Sequence, residues 1–220
     1  MKIELLETAG WYTVFKNLRQ SYSLDSRSEL NNDTNFKESD DIECFGHTVD
    51  YGGYCIINNK DLQLLSTLVK KGDSHSKIIR GIQTYVEITA PRYWWQEWLT
   101  YVIGVLEINP TIDWVSLNSE STMYTLKKQV ELPEDYFISG TTYSTIDILK
   151  DKINKSDSLQ SIKANLPEGY LQTRTFQVSY QAWRRIYQQR HNHKLEEWSK
   201  DIVKFIKDLP FSKELITVEK

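Results

Sequence analysis

Hydrophobic and polar positions alternate most cleanly between residues 82 and 89. Ile82, Thr84, Val86 and Ile88 interleave with Gln83, Tyr85, Glu87 and Thr89, a period of two that sets one apolar row on one face of a strand. Pro91 closes that strand and opens a helix, because proline fixes φ and needs no amide partner in a first turn; Thr89 stands close enough to cap it. Trp94, Trp95, Trp98, Leu99, Val102 and Ile103 then leave the helix little polar face. The spacing predicts an element lying inside the protein or inside a subunit interface.

Elsewhere the periodicity changes by segment. Residues 1 to 7 read as a first strand, and Trp11, Val14, Phe15 and Leu18 recur at helical spacing. Residues 24 to 41 are polar, acidic and without period, a loop. Two apolar runs around Gly52-Gly53 read as a hairpin insertion. A helix follows from Asp61, as its cap, to Gly72. Leu126 to Val130 reads as helix, Ser144 or Asp147 would cap a helix through Ile153, and residues 173 to 180 alternate as a short strand. The last long segment, from Tyr180 towards Phe205, divides into two helical stretches near His191-Asn192-His193, and Pro210 ends it.

At 220 residues and 40% hydrophobic, the chain is long enough for one sizeable core. The reading is one α/β (α+β) domain over residues 1–220, a central sheet flanked by helices with a long C-terminal helical segment and a variable insertion at about 24–60. Twenty-seven basic against thirty acidic residues give a net charge of −3 with no block of one sign, so bulk electrostatics makes no case for long nucleic acid or a membrane surface. The first residues lack a signal peptide's pattern, and no apolar run is long enough to span a bilayer; the expected location is cytoplasmic. Cys44 and Cys55 read as free thiols in that compartment. No Walker loop, GxGxxG, GxSxG or HExxH occurs.

The stretch from Ala90-Pro91 through the aromatic helix to Asn118-Ser119-Glu120-Ser121-Thr122-Met123-Tyr124 resembles the central segment of the flavin-dependent thymidylate synthases, especially their shorter bacteriophage members. In that family a strand runs into Ala-Pro, an aromatic helix, an Arg-His-Arg triplet and an Asn-Glu-x-Ser-x-Arg-Tyr run. Counted from Pro91, the triplet falls on Thr100-Tyr101-Val102, the motif's Glu on Ser119 and its Arg on Met123. Further departures lie upstream, where the family's His-x-Ser-Pro-Phe-Glu-His segment keeps its first histidine as His75 but has Arg80 for its glutamate.

The resemblance implies roles for particular residues. Arg190, followed by His193 and Trp198 at nearly the family's spacing, would grip the uracil of dUMP. A guanidinium at a uracil carbonyl stabilises negative charge developing on the ring. Glu97, or Gln96 beside it, would face nucleotide, and Ser121 and Tyr124 would bind its phosphate and close the pocket. His75, Thr100, Tyr101 and His193 would lie at the flavin. The implied activity is reductive methylation of dUMP or a related pyrimidine deoxynucleotide, using FAD with NADPH and methylenetetrahydrofolate, in a homotetramer. The alternative is a catalytically degenerate member of the fold, a nucleotide-binding or host-interaction protein whose Arg174, Arg184, Arg185 and Arg190 hold a phosphate. No metal site is expected.

Overall fold

Period-two alternation gives the chain its longest strands, and the computed structural model describes them within residues 1–18, 41–44, 55–100, 114–128 and 133–218. Residues 24–40, the Gly52-Gly53 turn, Tyr101 and Val102 lie outside the described residues. In order the elements are β1 (Lys2–Ala9), α1 (Trp11–Asn17), β2 (Asp41–Cys44), β3 (Cys55–Asn58), α2 (Asn59–Lys70), α3 (Asp73–Ser76), β4 (Gln83–Pro91), α4 (Arg92–Trp98), β5 (Trp114–Ser119) and α5 (Thr122–Lys128). These are followed by α6 (Tyr143–Asn154), α7 (Leu159–Ala164), β6 (Leu171–Ser179), α8 (Tyr180–Arg190), a π-helical segment (Glu197–Ile202), α9 (Val203–Asp208) and α10 (Ser212–Leu215). Strands β1, β4, β6 and β5 form an antiparallel sheet in that order. β2 and β3 pair antiparallel, with Asp41 opposite Asn58 and Cys44 opposite Cys55.

β4 follows the expected alternation: Thr84, Val86, Ile88 and Ala90 are buried, while Gln83, Tyr85, Glu87 and Thr89 are half-buried. Thr89 does not cap α4, as the sequence had led us to expect. The strand runs on to Pro91, which takes the cap position with no side-chain cap bond, and the Thr89 hydroxyl instead pairs with that of Thr173 on β6 at 2.9 Å.

The described residues divide into two compact units. The first spans Met1–Ile3, Glu87–Ile112 and Ser116–Phe176. Its aromatic core is built by α4 on β6: Trp94 stacks on Trp98 at 5.1 Å, and Trp95 and Trp98 meet Phe176 at 5.6 and 5.3 Å. All three indoles are buried, so α4 is an interior helix of this unit. Burying about 150–250 Å² per indole contributes roughly 4–6 kcal/mol each, as an upper estimate. The Arg92 and Tyr93 amides donate to the carbonyls of Tyr170 and Glu168, fixing the helix start. A second cluster joins Leu126, Phe137, Ile146, Leu149, Ile162, Leu166 and Tyr170. α6 starts after Thr142, ahead of both anticipated caps, Ser144 and Asp147, which lie inside the helix.

The second unit spans Glu4–Val86, Asp113–Val115 and Gln177–Lys220. Trp11 packs edge-on against Tyr180 and Phe211 at 5.1 and 5.7 Å. The Trp183 indole donates to the Thr84 hydroxyl at 2.9 Å, which donates to the Val178 carbonyl at 2.8 Å, so a threonine on the buried face of β4 is fully bonded. Gly10 enters α1 at φ 86°, and a Cβ there would meet the Gly81 carbonyl oxygen at 2.0 Å. Only glycine tolerates both the positive φ and the contact. Asp61 does not cap α2; it lies buried in that helix's first turn.

Candidate functional site

α8 carries the strongest motif of the second unit. Ser179 caps it by accepting from the Ala182 amide at 3.1 Å, and the helix buries Tyr180, Ala182, Trp183 and Ile186 before ending at Arg190. A turn follows, with the His193 amide donating to the Arg190 carbonyl at 3.0 Å, and then the π-helical segment that holds Trp198. Such segments recur at functional sites. The structure brings the three motif residues together. Trp198 is fully buried, the Arg190 guanidinium lies 4.8 Å from its ring centroid, and the His193 ring stands 6.3 Å away at 70°. Cation–π contact of this kind contributes about 0.5–2 kcal/mol and uses the face of the guanidinium, whose N–H donors point along its edge. His193 Nδ1 accepts from the Leu195 amide at 3.2 Å, so the neutral ring carries its proton on Nε2.

His75 belongs to the same unit. Its short helix α3 is pinned on either side: Gln181 donates to Asp73 at 3.0 Å and Ser76 donates to Gln181 at 3.3 Å. His75 itself is exposed, a ring presented outward from a fixed backbone. Arg184 corrects the sequence reading. Counted with the phosphate-holding arginines, it is in fact 1% exposed, donating to the carbonyls of Val69 at 3.2 Å and Ile216 at 3.4 Å, with the Asp73 carboxylate 3.9 Å from Nε. Burial lowers its pKa and Asp73 raises it. Its charge completes the ends of α2 and α10, so it is no member of a phosphate-holding cluster.

The first unit holds the remaining candidates. Gln96 is exposed and donates to Glu168 at 3.3 Å, whereas Glu97 is half-buried, so Glu97 is the inward-facing member of the pair. Thr100 is exposed and its hydroxyl donates to the Glu97 carbonyl at 2.7 Å. Tyr101 lies outside the described residues. Ser121 is half-buried, and its carbonyl accepts from the amides of Tyr124 and Thr125 at 3.0 and 3.1 Å; Tyr124 is 66% exposed. The turn before Ser121 is tied to β6, since the Glu120 amide donates to the Thr173 carbonyl at 2.9 Å and the Thr173 amide to the Glu120 carboxylate at 3.3 Å.

Beside that tie stands a residue that the sequence reading named only as one of four phosphate-holding arginines. Arg174 lies on β6, on the face it shares with Phe176, with its guanidinium 4.5 Å from the Trp95 ring centroid. Burial lowers its pKa. Its place in a strand packed by tryptophans sets it apart from the other three. Among the described residues no group of His, Cys, Asp or Glu could hold a metal ion, and no helix is long and apolar enough to cross a membrane.

No family model matches the sequence, and no curated protein matches it. Solved structures do share its architecture. One is thymidylate synthase X (ThyX) from Helicobacter pylori with FAD and dUMP, 13% identical, with a TM-score of 0.69 over 98% of this chain and 97% of that one. Another structure of the flavin-dependent thymidylate synthase ThyX from Helicobacter pylori, also complexed with FAD and dUMP, is 15% identical, with a TM-score of 0.66 and the same coverage. From end to end, this chain has the fold of the flavin-dependent thymidylate synthases.

Proposed function

We propose that this protein is a divergent flavin-dependent thymidylate synthase-like protein that binds dUMP or a related pyrimidine deoxynucleotide and methylates it reductively with FAD. The observation that carries the reading is the grouping of Arg190, His193 and Trp198 in a chain whose fold matches structures holding FAD and dUMP. Arg190, held by its face on Trp198, would present N–H donors to a uracil carbonyl and stabilise charge developing there. Glu97 would accept from nucleotide, and Ser121 and Tyr124 would take the phosphate side.

The flavin-side residues fit unevenly. His75 is an exposed imidazole on a pinned helix, and His193 carries an Nε2 proton, so both can hydrogen-bond a ring or phosphate. Thr100 does not fit: its hydroxyl is committed to the Glu97 carbonyl and it has no charge to offer. Reduced FAD, when bound, supplies the hydride, with NADPH and methylenetetrahydrofolate as co-substrates. The protein's work is to hold nucleotide in register and exclude water. A single domain, a homotetramer, a cytoplasmic location and a bacteriophage origin complete the reading.

The Thr100 geometry favours a second reading, in which nucleotide binding outlives the chemistry and the fold serves as a nucleotide-binding or host-interaction module. An absorbance spectrum of the protein, taken as purified and again after incubation with FAD and dUMP and desalting, separates the two. Flavin bands retained with the protein support the enzyme. A colourless protein that still binds dUMP by calorimetry supports the module, and one that binds neither overturns both.

A further inference from the structure

We propose that Arg174 is an oxyanion-binding residue of the first unit, taking the phosphate monoester of the nucleotide. This deepens the proposed function and rests on it for the ligand's identity. Strand alternation puts Arg174 on the same face of β6 as Phe176, which is buried against Trp95 and Trp98. A charged residue on that face sits in surroundings that favour apolar ones, and arginines so placed are ordinarily paired with a carboxylate.

Arg174 has no such pair. Among the described residues no carboxylate lies within ion-pair distance of it; its sole hydrogen bond runs from Nη2 to the Gln172 side-chain oxygen at 3.3 Å, and its buried Nε has no acceptor. The Trp95 ring, its centroid 4.5 Å from the guanidinium carbon, holds the group in place without neutralising it. What remains is a half-buried, oriented fork of N–H donors, the arrangement that suits bidentate contact with a phosphate. Burial depresses the pKa of the group, which is the cost an incoming anion would relieve.

Its position fits the nucleotide's phosphate. The preceding residue, Thr173, is doubly hydrogen-bonded to Glu120, immediately before Ser121. Ser121 is where the family resemblance expects phosphate, and Met123 stands where that motif carries an arginine. β6 therefore carries Arg174 one residue from its tie to the segment whose own guanidinium is missing.

Titration calorimetry of the intact protein with dUMP, deoxyuridine and inorganic phosphate, on wild type and Arg174→Gln, tests this. Removing a charge-assisted bidentate contact should weaken dUMP binding by at least about tenfold, leave deoxyuridine binding unchanged, and leave the ligand-free melting temperature equal or higher. Equal dUMP affinity in the two proteins overturns the proposal while leaving the nucleotide reading intact. If wild type binds no dUMP, that reading fails, and the inference then stands only if inorganic phosphate stabilises wild type but not Arg174→Gln at matched ionic strength; equal responses overturn it. Should Arg174→Gln not fold, Arg174→Lys keeps the charge and loses the fork, and the same comparison is made with it.

Discussion

The guanidinium of Arg190 stands over the indole of Trp198 at 4.8 Å, joining the last residue of one helix to the first turn of the π-helical segment after it. The contact holds the arginine beside the buried ring. Arg190→Ala should therefore weaken dUMP binding by at least about tenfold, the loss of a charged hydrogen bond, while the lost cation–π contact lowers the melting temperature by only a few degrees. Titration calorimetry beside a thermal melt reads both, and an unchanged dissociation constant removes Arg190 from the site.

Trp98 behaves differently, because it is fully buried between Trp94 and Phe176. Trp98→Ala opens a large cavity and should cost about 3–5 kcal/mol. The denaturation midpoint in urea is the measurement. A midpoint equal to that of wild type would mean the ring is not packed in this core.

At Gly10 the backbone itself is the constraint. Gly10→Ala adds a Cβ 2.0 Å from the Gly81 carbonyl oxygen and forces an L-residue to φ 86°. The strain and the clash together should cost at least about 2 kcal/mol. Gly72→Ala is the control, since its φ is also positive, at 101°, but nothing lies within 4 Å of the added carbon. Because Gly72 sits at ψ −178°, where an added Cβ is strained more than at the ψ 0° of Gly10, a larger loss at Gly10 than at Gly72 can come only from the clash.

Tyr170 gives stability an alkaline limit. Burial, and then the Glu120 carboxylate, push its pKa from 10.0 up to about 12. Between those values the folded state keeps a proton that the unfolded chain has shed, so stability falls as pH rises. The contribution is complete below about pH 10 and is lost through about pH 12, roughly 2–3 kcal/mol in all. Tyr170→Phe should flatten that part of the stability–pH curve, measured as the difference in urea midpoint between the two proteins. Parallel curves would show that the phenol does not titrate this way.

Much of this was readable from residue order, where one periodicity acts alone. β4 alternates because both its faces are decided by the same row of side chains, and the break at residues 191–193 is marked by three polar residues in a row. β5 escaped notice because Ser116 to Ser119 are all exposed, leaving no buried row to read. α7 is short, and its cap, where the Ser161 amide donates to Ser158 at 3.2 Å, looks like any serine-rich turn. The π-helical segment depends on which carbonyl each amide chooses, which composition does not encode. Thr89 misled because a capping hydroxyl and a cross-strand hydroxyl are the same letter. Of the candidate residues, Arg190, His193 and Trp198 were named through the family resemblance and Arg174 only as one of four arginines, since its contact with the Trp95 ring is a tertiary one that residue order does not encode.

The second unit draws its partners from opposite ends of the sequence. Thr84 meets Trp183 across 99 residues, Ser76 meets Gln181 across 105, and Val69 meets Arg184 across 115. During synthesis, then, the residues up to Val86 emerge well before the helix that completes their core. The intervening stretch can bring its own tryptophans together first, and the early segment waits with Leu65 and Val69 incompletely covered until α10 at the far end of the chain packs on α2. Loop closure over such spans slows folding, so the interval between the two halves is when this chain is most exposed to aggregation or to a chaperone.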